Sequence, residues 1–164
     1  MIRSISVILL SFILIGCAST YKSPEGDNTA SLSFVLKEPL ENWMTISFFE
    51  GLECLPSPYG EYAGGLYNGS WAQKPSEELN FKIESGKLFS MELFERLIFT
   101  SEIVGPGQYC KNLLAFIPEK GVSYLIEYRP NCKYKFTNQD TGAEVKTQAP
   151  TGKCHSKNIM GAYK

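Results

Sequence analysis

Histidine is almost missing from this 164-residue chain, with His155 as its one example. It stands beside Cys154 in a polar C-terminal stretch, a poor place to hold an imidazole within hydrogen-bond reach of a nucleophile. Acid–base or nucleophilic catalysis through histidine is therefore not expected. The cysteines form no C-x-x-C pair, and with a single histidine they do not suit a zinc site, so no metal and no cofactor is implied. An excess of one charge is lacking as well. Sixteen Lys and Arg face seventeen Asp and Glu, which leaves no footprint for nucleic acid and no general attraction to an anionic membrane. No apolar run reaches the ~20 residues of a bilayer-spanning helix. Gly105-Pro106-Gly107 is too short, and wrongly placed, to cradle a phosphate, and reads as a turn.

What is present starts at the N-terminus. Arg3 supplies a positive start, Ile5 to Ile15 form an apolar run broken by Ser6 and Ser11, and Gly16 precedes Cys17. A charged start, a short apolar middle and a small-residue exit describe an export signal. Leu14-Ile15-Gly16-Cys17 resembles the lipobox of bacterial lipoproteins. The resemblance covers residues 1–17 and implies a signal peptide over 1–16, with Cys17 lipidated and left as the first residue after cleavage. The new amino terminus is often acylated too, so a palmitate-type chain is implied beside the diacylglycerol. Two or more chains give stable membrane anchoring where one gives only reversible binding. Ala18 after the cysteine favours, by the same resemblance, the outer membrane facing the periplasm over the inner membrane or cell surface.

Residues 17–29 are small and polar around Pro24 and Gly26 and read as a flexible tether. Stretched out, residues 18–29 would span at most ~40 Å. The remaining cysteines are Cys54, Cys110, Cys132 and Cys154. An even number in an exported chain argues for two disulfides. Four cysteines allow three connectivities, and the preferred one joins Cys54 to Cys110 and Cys132 to Cys154.

The body, 30–142, is expected to be all-β. Leu32, Phe34 and Leu36 alternate with polar residues or Val35, and Met44, Ile46 and Phe48 repeat the pattern. Such alternation marks strands with one buried and one wet face. Residues 51–76 read as a long loop rich in glycine, proline and aromatics, with room for a short strand around 62–66. Leu79, Phe81 and Ile83 form a further strand before the Ser85-Gly86 turn. Residues 87–104 fit either a strand or a helical face, and their aromatic content tips the reading to strand, bulge and second strand. Residues 110–117, 122–129 and 132–137 are expected to form a three-stranded meander. A basic tail, 143–164, would be held by Cys154. The architecture expected is a two-sheet antiparallel sandwich, immunoglobulin-like or prealbumin-like.

No enzyme is expected. Paired acids such as Glu50 with Glu53, or Glu77 with Glu78, could serve a carboxylate-dependent envelope hydrolase only if their separation were fixed. The stretch carrying Tyr59, Tyr62, Tyr67 and Trp71 between glycines is the candidate binding surface, because such rings dominate binding hot spots. The function expected is a lipid-anchored, non-catalytic binding or structural module meeting an envelope protein or glycan. An inhibitor of a wall-degrading enzyme such as lysozyme is the alternative by analogy.

Overall fold

The computed structural model describes residues 20–40, 43–52, 60–68, 76–96 and 109–150. Eight strands cover them: β1 Thr29–Leu36, β2 Met44–Glu50, β3 Glu61–Leu66, β4 Glu78–Glu84, β5 Phe89–Arg96, β6 Tyr109–Phe116, β7 Ser123–Arg129 and β8 Lys133–Asn138. They form two four-stranded sheets, β4-β1-β7-β8 and β3-β2-β5-β6, packed face to face. The chain is all-β among the described residues, as the period-two alternation predicts.

An immunoglobulin constant-type sandwich groups its first, second, fifth and fourth strands in one sheet. Here β2 lies between β3 and β5, so the strand order is not that of the immunoglobulin constant type. The pairing is antiparallel except between β1 and β7, where Leu32 faces Tyr124 and Phe34 faces Ile126 in parallel register.

The core follows from the alternation. Leu32 and Phe34 of β1, Met44 and Ile46 of β2, Met91 and Leu93 of β5, and Ile126 and Tyr128 of β7 are all fully buried between the sheets. Each contributes about 1.5–3 kcal/mol on burial. The two outer faces differ. On β1 the outward Ser31 is exposed, whereas on the other sheet Ser47, Phe49, Ser90 and Glu92 are buried on the side away from the core. Ser90 donates its hydroxyl to Gly51 O at 2.6 Å, so the chain leaving β2 folds back over that face.

Four expectations are corrected. The 110–137 region is not a meander: β6 pairs with β5, while β7 crosses to the other sheet and pairs with β8. Alternation states which face is buried and not which neighbour a strand takes. The cysteine pairing is also different: Cys110 is joined to Cys132, and not to Cys54. Cys110 is the second residue of β6 in one sheet and Cys132 sits in the β7–β8 turn of the other, 5.9 Å apart at Cα. Asn131 and Cys132 both take positive φ to make that turn. The partners expected for these two, Cys54 and Cys154, lie outside the described residues, as do 97–104; residues 89–96 are strand, as expected.

The third correction concerns the tether. Thr20 bridges to Tyr62 in β3, and Tyr21 packs on the core, so this stretch is fixed to the sandwich from Thr20 and is not a free tether up to residue 29. The fourth concerns the tail. Val145 N donates to Phe136 O, and Gln148 and Ala115 exchange both backbone hydrogen bonds. Residues 143–148 therefore run from the β8 edge of one sheet to the β6 edge of the other, covering two edges that would otherwise be open.

Candidate functional site

The two poles of the sandwich are built differently. At one pole Glu95, the last inward residue of β5, is 4 % exposed. Its Oε2 accepts from Tyr128 Oη at 2.9 Å and from the Cys132 backbone N–H at 2.9 Å. Asn112 adds a donor to Cys132 O. Burial first, then the charge of Glu95 and the bond to it, hold the Tyr128 phenol well above its ordinary range. Glu95, Cys110 and Cys132 bring three potential metal donors within 4.8 Å of one another, but the disulfide occupies both sulfurs, so this cluster clamps the sheets and is not a metal centre as it stands.

The opposite pole is open. A cleft of about 630 Å³ lies where β2 ends, β3 begins and the chain turns from β4 into β5. That volume is in the range of small-ligand sites. Its floor is Phe48 and Phe49, alternate faces of β2 brought to the mouth where the strand ends. Phe89 stands at 4.8 Å from the Phe48 centroid with its plane inclined by 62°. Tyr21 closes the other side, 4.7 Å from Phe48 and perpendicular to it.

Tyr21 is held by its own backbone and hydroxyl. Its N–H donates to Tyr62 O at 2.9 Å, and its phenol donates to Lys82 O at 2.7 Å. Burial pushes its pKa up to about 12, with Glu61 and then Glu84 adding negative charge nearby. Gly60 enters β3 hard against β2: a Cβ there would come within 2.7 Å of both Phe48 O and the Phe49 ring. Only glycine permits that approach.

Charge of both signs rims the aromatic floor. Glu50, Glu61 and Glu84 stand with Lys22 and Lys87. Lys87 Nζ lies 2.7 Å from Glu84 Oε1, with 73 % and 50 % of the two side chains exposed. The hydrogen bond and charge of Glu84, with a smaller share from Glu50, hold the Lys87 ammonium above its ordinary pKa.

The residues expected to matter are distributed unevenly. Glu50 is in the cleft, while its expected partner Glu53 is outside the described residues. Glu77 and Glu78 do not converge: the first accepts from Asn68 and the second from Asn80. Of the aromatic loop, Tyr62 and Tyr67 lie on and just beyond β3, close enough that burial and then Tyr67 raise the Tyr62 pKa. Tyr59, Trp71, Cys17 and His155 fall outside the described residues. Sequence reading missed Tyr21, Phe48, Phe89, Glu61 and Lys87 as a set. Tyr21 stands in a polar stretch where no period could flag it, and the phenylalanines carried only the core signal. Set against known proteins, the chain matches no family model and finds no significant match among curated sequences.

Proposed function

We propose that this chain is a lipid-anchored protein of the cell envelope, held by Cys17 at the outer membrane facing the periplasm, and that it acts as a non-catalytic binding module. The observation that carries the reading is the aromatic, charge-rimmed cleft, whose wall residue Tyr21 lies four positions after the lipobox cysteine. Anchor and cleft then belong to one device. The rings supply apolar contact area, and the carboxylates and ammonium groups at the rim supply orientation.

A photoreactive residue in place of Glu61 tests this in whole cells. It should yield a crosslinked envelope component, and the same residue in place of Lys135 on β8, away from the cleft, should not. Equal capture from both positions would reject the cleft as the binding surface.

A further inference from the structure

We infer that the cleft faces the membrane and takes the headgroup of an aminoalkyl phospholipid, its ammonium over the rings beside Glu61 and its phosphate against the lysines of the rim, Lys22 and Lys87. The inference rests on the lipid anchor proposed above and gives the cleft its ligand class.

The first support is reach. Residues 17 and 21 are joined by four peptide units, so Tyr21 Cα can stand at most about 14 Å from Cys17 Cα, however that stretch is folded. Tyr21 is docked by two hydrogen bonds and two ring contacts. With a lipid on Cys17, the wall of the cleft is thus confined to the depth of the headgroup layer or just above it.

The second support is complementarity of both signs. Tyr21 and Phe89, both half-buried, line the cleft on either side of Phe48, which they pack against at 89° and 62° and which is itself buried, so the ring faces on offer are those of Tyr21 and Phe89. Such faces attract an ammonium ion, and the Glu61 carboxylate in the same cleft adds to the attraction. Lys87 uses one of its three donors on Glu84 and is 73 % exposed, leaving donors for a phosphate oxygen; Lys22, also exposed, lines the same cleft. A purely cationic ligand would leave both lysines repelled, and a purely anionic one would meet three carboxylates. A zwitterion satisfies both.

The purified full chain, isotopically labelled, is titrated with glycerophosphoethanolamine, glycerol phosphate and ethanolamine while the amide shifts of Glu61, Lys87 and Phe89 are followed. The zwitterion should bind about tenfold more tightly than either half, and Glu61→Gln and Lys87→Met should each weaken it by roughly fivefold. Both side chains are solvent-exposed, so the variants should fold; Ser31→Ala on the far face should change nothing. In vesicles, ethanolamine headgroups should slow hydrogen exchange at the cleft amides and glycerol headgroups should not. Absence of shifts, shifts mapping elsewhere, or either half binding as tightly as the whole would overturn the inference while leaving the Glu61 crosslinking result to stand by itself. Tight binding to a chain whose Cys17 has unmodified mass would remove the anchor, and with it the membrane as the source of the headgroup.

Discussion

Glu95 and Glu92 are neighbours on β5, three residues apart, yet they point to opposite faces and are buried for different reasons. Glu95 faces the core and is satisfied by Tyr128 and the Cys132 N–H. Replacing Tyr128 by Phe removes a hydroxyl donor from a buried carboxylate, and the expected loss is about 1.5–3 kcal/mol, read as a lowered denaturant midpoint. Glu92 faces away from the core at 1 % exposure. Its Oε2 contacts Lys111 Nζ, but neither carboxylate oxygen accepts an aligned hydrogen bond. Lys111→Met would strand that charge and should cost about 2 kcal/mol, below the figure for a fully buried pair because the lysine side chain is 31 % exposed. Adding Glu92→Gln to that variant should restore part of the loss; no recovery in the double variant would mean that the pair is not coupled.

The tyrosines set an alkaline limit. Tyr21, Tyr62, Tyr128 and Tyr134 are all raised above the ordinary phenol value, mainly by burial. In the unfolded chain these phenols lose their protons near pH 10, while the folded protein keeps them. The folded state then binds more protons than the unfolded one, so stability is intact below about pH 10 and falls as pH rises towards the Tyr21 value of about 12. A denaturant midpoint unchanged between pH 9 and 11, measured alongside phenolate absorbance, would contradict this.

At the scale of elements, the cross-link and the C-terminal strap bind the two sheets at two points along one flank, where β6 lies beside β8. The Cys110–Cys132 bridge closes a separation of 22 residues, for which about 3 kcal/mol is expected. A Cys110→Ser, Cys132→Ser double variant should lose that amount, and a peptide map without reduction should show these two cysteines linked; a fragment joining Cys54 to Cys110 would refute the assignment. The strap depends on Gln148, whose N–H donates to Ala115 O at 2.8 Å. Gln148→Pro deletes that donor and should strip exchange protection from the Ala115 amide at a cost of about 1 kcal/mol. The strand faces were legible in the residues themselves: Leu32, Phe34, Met44 and Ile46 alternate and are buried as alternation requires. The partners were not legible. Cys110–Ile117 and Val122–Arg129 are separated by a short turn that would suit a hairpin, but they belong to different sheets, because pairing is settled by which edges remain open once the other strands have packed.

For the whole molecule, the clamped pole and the open pole give the sandwich a direction. Glu95, Tyr128 and the disulfide lock one end, and the aromatic cleft sits at the other, on the side where the N-terminal segment joins. On the anchor proposed above, Cys17→Ser placed behind an ordinary cleavable secretory signal should move the protein from the membrane to the soluble fraction, since the chain after residue 16 has neither an apolar span nor a basic excess to hold it. Retention of that variant in washed membranes would show that another contact does the anchoring.

Period alone determined the β class and the buried face of most strands, because both are written in neighbouring residues. Tertiary structure decided the rest. The sequence of residues 18–29 reads as a tether reaching ~40 Å, and polarity gives no reason to doubt it. Folding fixes it at Tyr21, which finds Phe48 and Phe81, rings far along the chain and close only once the two sheets have met. Cysteine count pointed to bridges, while their pairing waited on which strand ends came within bonding distance. A cleft assembled from four separate segments has no local signature, so it exists only in three dimensions.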